Sequence, residues 1–398
     1  MFPVFPEDPF VEERHRQLQR DIDDWARPAV ERVQAEFEGD MARSRAFAGA
    51  LGEAGWLQRM VGQDGASGSP RFDVRSLCTI RETLAYHWSL ADFAFVLQGI
   101  GSACIVLEGS QQQRARYMPG VLAGTLLPAF ALTEAAAGSD AASIQTRAER
   151  RGDTFVLNGD KTWISNGGIA DFYIVFARTG DATEWNGISA FIVDRETPGF
   201  HVGEQIEIVA PHVIAPLELR DCAVPAGQLL GREGEGFKLA MGVLDIFRTT
   251  VGAAALGFAR RALDEALGHV ERRHLFGQRL FDLQATKLRL AEMAADVEAA
   301  RLMVYRAAWV RDVLGRRVTY EASMAKAVAT ENAQRVIDGA VQLLGGLGVK
   351  KGSVVESLYR DIRPLRIYEG ATEVQKLVIA DQLMKRWSQF VEGQAQPA

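Results

Sequence analysis

One short segment near the end of the chain decides how the rest of the sequence is interpreted. It reads Arg366-Ile367-Tyr368-Glu369-Gly370-Ala371-Thr372-Glu373-Val374-Gln375. Taken alone, the segment predicts only that Glu369 is a carboxylate near the start of a helix, where the helix dipole favours negative charge. Its meaning depends on further segments that lie earlier in the chain.

These earlier segments are also ambiguous when each is considered by itself. They read Phe130-Ala131-Leu132-Thr133-Glu134-Ala135-Ala136-Ala137-Gly138-Ser139-Asp140, Lys161-Thr162-Trp163-Ile164-Ser165-Asn166-Gly167-Gly168, Arg272-Arg273-His274-Leu275-Phe276-Gly277-Gln278 and Gln342-Leu343-Leu344-Gly345-Gly346. Small residues and hydroxyls at a strand end, as in the first segment, let backbone N–H groups approach a ligand closely. The same residues could equally form a turn between two strands.

The surrounding pattern predicts a helical block, a β block and a second helical block. Residues 1–125 show the apolar spacing of roughly 3.6 that is typical of helices. Residues 126–232 are rich in β-branched and aromatic residues, as in 172–176 and 188–193. Helical spacing returns over 233–390, with one apolar stripe formed by Leu290, Met293, Val297, Ala300 and Val304. The tail 391–398 is predicted to fray.

Turn signals divide these blocks further. Asn-Gly pairs occur at 158–159, 166–167 and 186–187, and both residue types tolerate the positive φ of tight turns. The first pair predicts a hairpin that joins strands 154–157 and 161–164. The glycine-rich stretch 62–70 predicts a loop.

Composition excludes several classes of protein. The 398 residues carry a net charge of −6 and a pI of about 5.7, which argues against a nucleic-acid binder because phosphate neutralisation needs a basic surface. Neither a signal peptide nor an apolar run of about 18 residues is apparent, so no membrane span is expected. The widely spaced Cys78, Cys104 and Cys222 predict buried, reduced thiols and a cytoplasmic setting.

Common catalytic and nucleotide-binding fingerprints are absent from the sequence. The chain lacks G-x-G-x-x-G, the P-loop, H-E-x-x-H and G-x-S-x-G, and its six histidines lack metal-ligand spacing. These absences weaken the case for NAD enzymes, P-loop enzymes, zinc hydrolases and serine hydrolases. A flavin bound here would need a different fold from the Rossmann fold.

With all the quoted segments present in this order, the sequence resembles the acyl-CoA dehydrogenase family over about residues 10–385. The resemblance implies a multidomain α+β fold, with an N-terminal helical domain (1–125), a middle β-barrel-like domain (126–232) and a C-terminal four-helix bundle (233–390). It also implies a homotetrameric flavoprotein that binds FAD, oxidises an acyl-CoA in fatty acid metabolism and passes electrons to an electron-transfer flavoprotein.

The resemblance assigns roles position by position. Glu369 matches the catalytic base, and the substrate-contacting positions are Ser139, Asp245, Arg248 and Gly370. Arg273 and Phe276 match residues that reach the FAD of a neighbouring subunit. The full set of implied FAD-contacting positions is Phe130, Leu132, Thr133, Gly138, Ser139, Trp163, Ile164, Ser165, Arg273, Phe276, Gln284, Gln342, Gly345, Gly346, Ala371 and Glu373.

These residue types suit the implied chemistry. The α-proton of a thioester is a weak acid, and burial strengthens a carboxylate base by raising its pKa. In the family, the backbone N–H of the base and a ribityl hydroxyl of FAD stabilise the developing enolate oxygen. The guanidinium of Arg273 can donate a bidentate pair to a pyrophosphate, and Trp163 offers a flat face to a planar ring.

Three positions depart from the family pattern. Ala135 stands where a proline is usual, and Ala371 replaces a threonine whose hydroxyl would contact FAD. Phe247 occupies the position from which some members supply the base. Because a phenyl ring cannot accept a proton, Glu369 is the only matched base.

Other functions remain open from the sequence. The same fold acts on acyl carrier protein thioesters, or uses O2 as a flavin oxidase or monooxygenase. A non-catalytic paralogue with an assembly role is the alternative from another class. Each residue also has a simpler interpretation: Asp245 and Arg248, for example, could form an ordinary surface pair at i,i+3.

Overall fold

The computed structural model of the chain describes residues 9–63, 70–180 and 185–395. The helices in these residues are α1 (Glu13–Glu36), α2 (Asp40–Glu53), α3 (Val74–His87), α4 (Ser89–Glu108), α5 (Gln111–Leu122), α6 (Gly236–Arg272), α7 (Gln284–Asp312), α8 (Thr319–Leu344), α9 (Val354–Leu365) and α10 (Thr372–Ala395). The strands are β1 (Gly62–Gln63), β2 (Pro70–Arg71), β3 (Pro128–Ala131), β4 (Arg147–Arg151), β5 (Thr154–Ser165), β6 (Phe172–Arg178), β7 (Ile188–Asp194), β8 (Phe200–Val202), β9 (Ile214–Pro225), β10 (Leu229–Leu230), β11 (His274–Leu275) and β12 (Gln278–Arg279).

The chain divides into two compact units. The helical unit comprises Met1–Ala26, Val74–Ser89 and Asp245–Ala398, and the sheet unit comprises Arg27–Asp73 and Leu90–Leu244. The predicted fold class is confirmed, because helical N-terminal and C-terminal regions flank a mixed sheet.

Long helices packed side by side form the helical unit. Helix α8 packs against α7, α9 and α10, and α3 packs against α7. The apolar stripe predicted on α7 is buried. Helix α6 approaches its neighbours closely through glycine: a Cβ at Gly257 would lie 2.2 Å from the carbonyl oxygen of Glu82 on α3.

An eight-stranded mixed sheet forms the centre of the sheet unit. Its order is β10-β7-β6-β4-β5-β9-β8, and β3 pairs in parallel with β6. One face carries a core of aromatic and aliphatic side chains that includes Phe155, Tyr173, Phe191 and Leu219. The pairing of β3 with β6 and the long β5 place the segments around 130 and 163 in one sheet.

The hairpin predicted at Asn158–Gly159 is wrong. Strand β5 runs through both residues, and Gly159 lies at a register shift in its pairing with β9. Glycine is needed there for close approach, because a Cβ would lie 2.6 Å from Thr146 Oγ1. The chain turns earlier, at Gly152 (φ 63°), between β4 and β5. At the second Asn-Gly pair the prediction is confirmed, since Asn166 (φ 61°) starts the turn after β5.

The structure describes only part of the predicted loop 62–70 and part of the predicted tail 391–398. Residues 64–69 of the predicted loop and residues 396–398 lie outside the described residues. Helix α10 continues to Ala395, through much of the tail that was expected to fray. Cys78, Cys104 and Cys222 are buried thiols, as predicted.

Two helices pass a length and composition test for a membrane span. They are α4 and α6, and 89% of the apolar window in each is buried inside the protein. Burial of this extent is what core helices show, because a spanning helix would present its apolar surface to lipid.

Candidate active site

The turn between α9 and α10 carries the predicted base. Glu369 (φ 52°) and Gly370 (φ 93°) both adopt the left-handed backbone conformation. Two features exclude a side chain at position 370. The backbone conformation is strained for any residue with a Cβ, and a Cβ there would lie 2.3 Å from Gln375 Nε2. A left-handed glutamate costs about 1–3 kcal/mol, so the surrounding structure must hold it in place.

Three side chains hold the backbone of this turn. Arg248 Nε donates to the carbonyl oxygen of Glu369 at 3.0 Å. Gln375 Nε2 donates to the carbonyl oxygens of Glu369 at 3.3 Å and Gly370 at 3.1 Å. Lys326 Nζ donates to the Gly370 oxygen at 2.7 Å. The donors come from α6, α10 and α8, so three helices determine where the base lies.

Asp245 and Arg248 are not the surface pair that their spacing allowed. Both are buried, at 4% and 7% exposure, and their charged groups lie 3.7 Å apart. The Thr319 hydroxyl donates to Asp245 at 2.6 Å, and Arg317 pairs with it at 3.3 Å. Burial lowers the pKa of Arg248 against the opposing charges of Asp245 and Glu369. The structure therefore brings Asp245, Arg248, Glu369 and Gly370 into one cluster, in which the first two residues are buried and the last two are half-buried.

In the sheet unit, two of the predicted flavin-side segments lie next to each other. The Thr162 N–H donates to the Thr133 carbonyl at 3.0 Å, which joins the end of β3 to β5. Leu132 and Ile164 are buried, Thr133 is half-buried, and the Phe130 ring packs on Phe176 at 4.9 Å between centroids. Gly138 and Ser139 follow in an exposed turn.

A buried ion pair that the sequence analysis missed fixes these two segments. Lys161 Nζ donates to Glu134 Oε1 at 2.7 Å and to the Leu132 carbonyl at 3.0 Å. Burial lowers the pKa of Lys161 to about 8, with Glu134 opposing this shift. Burial also acts on Glu134, but Lys161 and the N–H of Gln145 outweigh it and lower the pKa of that carboxyl. Both residues stand in the quoted segments, yet nothing in the sequence paired them.

His212 is a second residue that the sequence analysis missed. Its Nε2 lies 2.7 Å from Ser165 Oγ, and burial lowers its pKa to about 4, so the ring is neutral near pH 7. Its buried Nδ1 has no hydrogen-bond partner among the described residues. A bare nitrogen tolerates this better than an N–H, so we assign the proton to Nε2. Nε2 then donates to Ser165, whose own O–H remains available to a ligand.

Replacing His212 by phenylalanine is expected to disturb the contact between Ser165 and flavin that the family resemblance implies, and to leave the fold intact. Without the imidazole donor, the Ser165 hydroxyl can rotate away, so the visible spectrum and the midpoint potential of bound flavin should shift. His201→Phe, at an exposed position of β8, is the matched control. An unchanged spectrum and potential in His212→Phe would contradict this arrangement.

The remaining predicted positions lie at the surface of the helical unit. Arg273 precedes the hairpin of β11 and β12, which presents Phe276 at 90% exposure. Gln342, Gly345 and Gly346 are exposed at the end of α8, and nothing lies within 4 Å of a Cβ built on either glycine. The others are exposed or half-buried: Gln284 begins α7, Ala371 precedes α10 and Glu373 lies in its first turn.

Backbone strain coincides with the predicted site. Five non-glycine residues have positive φ in the described part of the chain, and three of them are Trp163 (58°), Phe276 (54°) and Glu369 (52°). Trp163 is also 56% exposed, which is unusual for an indole in a sheet. Strained residues of this kind cluster at functional sites, and these three also stand in the sequence motifs, so they are candidates for function.

Comparison with known families decides the assignment. The chain matches the acyl-CoA dehydrogenase N-terminal domain over residues 12–125, the middle domain over 129–221 and the C-terminal domain over 234–384. The chain belongs to the acyl-CoA dehydrogenase family. The family assignment makes it an oxidoreductase of this type, with FAD as its cofactor.

Relatives within the acyl-CoA dehydrogenase family cover most of the chain. The short-chain-specific acyl-CoA dehydrogenase of Megasphaera elsdenii is 40% identical over 81% of this chain and 85% of its own. Cyclohexane-1-carbonyl-CoA dehydrogenase of Geobacter metallireducens is 38% identical over 78% and 81%. The solved structure of butyryl-CoA dehydrogenase from M. elsdenii matches with a TM-score of 0.83 at 33% identity, over 96% of this chain and 99% of the other.

The residues present fit FAD, the cofactor of this acyl-CoA dehydrogenase family. Trp163 offers an exposed aromatic face in the sheet unit. The helical unit offers an exposed guanidinium, two exposed amides and two open glycines at Arg273, Gln284, Gln342, Gly345 and Gly346. A guanidinium beside glycines that leave space suits a pyrophosphate, and an aromatic face suits a flavin ring.

Proposed function

We propose that this protein oxidises an acyl-CoA thioester to the 2,3-enoyl-CoA, with Glu369 as the base that removes the α-proton. The observation that carries the proposal is the turn at Glu369, where a strained glutamate is held by Arg248, Lys326 and Gln375. A catalytic base must be positioned before the reaction, because small displacements of the reacting groups cost large factors in rate. Holding the backbone of Glu369 restricts where its carboxylate can lie.

The other residues have supporting roles in this proposal. FAD, when bound, supplies the acceptor for the β-hydrogen, so the substrate loses a proton and a hydride and gains a double bond. The backbone N–H of Glu369 stabilises the developing enolate oxygen. Asp245 and Arg248 contact the CoA moiety near the base, and Ser139 and Gly370 contact the thioester. Phe130, Leu132, Thr133, Trp163, Ile164 and Ser165 flank the flavin ring.

We further propose a short acyl chain as the substrate. Relatives named for short-chain acyl-CoA and butyryl-CoA support this choice, whereas the relative named for cyclohexane-1-carbonyl-CoA makes an alicyclic acyl group the second candidate. Phe247 is buried next to Arg248 on α6, and we propose that its ring fills part of the acyl pocket.

The electron acceptor and the assembly belong to the same proposal. An electron-transfer flavoprotein is the proposed acceptor, and the cytoplasm is the proposed location. A homotetramer is proposed from the family resemblance. Exposed apolar residues on α10 support contacts between subunits, since Leu377, Leu383, Met384, Trp387 and Phe390 are each more than half exposed. Contiguous apolar surface of this kind is typical of subunit interfaces. A neighbouring subunit would then supply Arg273 and Phe276 to each FAD.

A panel of acyl groups tests the proposed reaction. FAD-loaded protein is mixed without oxygen with butyryl-CoA, longer straight-chain acyl-CoAs, cyclohexane-1-carbonyl-CoA and a butyryl carrier-protein thioester. We expect butyryl-CoA to bleach the visible flavin absorbance fastest and to yield an enoyl-CoA. Bleaching by the carrier-protein thioester alone would replace CoA as the carrier, and a flavin that no thioester reduces would overturn the proposal.

A further inference from the structure

Resting on the proposed function, we propose that Lys326 is a positioning residue for the reaction. Its buried ammonium group anchors the Gly370 carbonyl and places a fixed positive charge next to Glu369. It thereby acts through the base without touching the substrate. None of the sequence motifs includes Lys326, which lies in the first third of α8.

The burial of Lys326 is the first observation. The side chain is 0% exposed, so its charge has been moved out of water, at a cost that must be offset locally. The Nζ group donates a hydrogen bond to the Gly370 carbonyl at 2.7 Å. A lysine that only filled the core could be replaced by methionine without loss, whereas this one ends at the strained turn of the base.

The charges that face Lys326 come from three directions. Glu369 approaches from the turn, Glu331 from α8 itself and Glu373 from α10, while Arg248 on α6 is the like charge. Burial lowers the pKa of Lys326 to about 8. Among the carboxylates that oppose this shift, Glu369 has the largest effect on the pKa. Glu331 already accepts hydrogen bonds from Arg366 and Thr372. The ammonium is therefore protonated at neutral pH and lies at the turn that carries Glu369.

The hydrogen bonds that remain at the turn predict what removal of Lys326 would do. Arg248 still holds the Glu369 carbonyl, and Gln375 still reaches both carbonyls, so the turn should persist. Without Lys326, the Gly370 carbonyl loses its shortest hydrogen bond and the Glu369 carboxylate loses a counter-charge. The first effect displaces the base, and the second makes the carboxylate harder to ionise.

Lys326→Met tests the proposal in the FAD-loaded enzyme, with Ser323→Ala as the control. Ser323 is equally buried one turn earlier on α8, and its hydroxyl has no hydrogen-bond partner among the described residues. In Lys326→Met, we expect the rate of flavin bleaching at neutral pH to fall about 10–100-fold. The acidic limb of its pH profile should move up by about one pH unit. Ser323→Ala should match wild type in both.

A second measurement is independent of turnover. Difference infrared spectra against Glu369→Gln isolate the carboxyl band of Glu369, whose titration can be followed in wild type and in Lys326→Met. An upward shift of the Glu369 titration in Lys326→Met supports the inference, whether or not any thioester is oxidised. Absence of thioester oxidation would overturn the proposed function but not this inference. Lys326→Gln keeps a hydrogen-bond donor without the charge, and we expect the same upward shift in it. This variant replaces Lys326→Met in the test if the methionine variant does not fold. An unshifted titration and an unchanged rate profile would overturn the inference.

Discussion

Glu369→Gln is expected to lower the rate of acyl-CoA oxidation by about 10²–10⁴-fold while FAD binding and the fold remain intact. The amide cannot accept the α-proton, so the step that the structure prepares is lost. The backbone contacts survive, because Arg248 and Gln375 hold the carbonyl oxygen of residue 369 and not its side chain. Glutamine can also adopt the same left-handed turn at a similar cost.

Anaerobic rapid mixing with butyryl-CoA would measure this effect as the rate of flavin bleaching. Asp381→Asn, an exposed carboxylate elsewhere on α10, is the control and should match wild type. FAD content and thermal stability should be equal in all three proteins. If Glu369→Gln bleached at the wild-type rate, another group would have to be the base.

Lys161→Met is expected to destabilise the protein by about 3–5 kcal/mol, because it leaves the Glu134 carboxylate buried without its partner. Both side chains are almost completely buried, at 0% and 9% exposure, so water cannot screen or replace the lost charge. The same change releases the Leu132 carbonyl, to which Lys161 also donates. Retention of FAD should therefore fall together with stability, since this pair fixes the segment that precedes Thr133.

Urea unfolding measures the loss of stability, and gel filtration followed by absorbance measures retained FAD. The double variant Glu134→Gln with Lys161→Met should recover part of the loss, because no unpaired charge stays buried. Arg151→Met breaks an exposed pair with Glu149 in the same sheet and should leave stability unchanged. Equal stability of Lys161→Met and wild type would show that the pair does not hold the sheet.

The family, the fold class and the place of Glu369 just before a helix were within reach of the sequence because each depends on local signals. Asn158–Gly159 was misread since Asn-Gly suits both a tight turn and, as here, a bulge where Gly159 passes Thr146. Glu134 and Lys161 lie 27 residues apart, and only the packing of β3 beside β5 pairs them. Lys326 carries no local signal either, because a single lysine in a helix usually faces solvent.

The measurement that tests the central claim most directly is the anaerobic reduction of FAD-loaded protein by butyryl-CoA deuterated at the α carbon, compared with unlabelled substrate. We expect α deuteration to slow flavin bleaching in wild type and the product to be the 2,3-enoyl-CoA. Flavin that bleaches at the same rate with both substrates would contradict rate-limiting α-proton removal by Glu369. Flavin that stays oxidised with both would contradict the proposed activity itself.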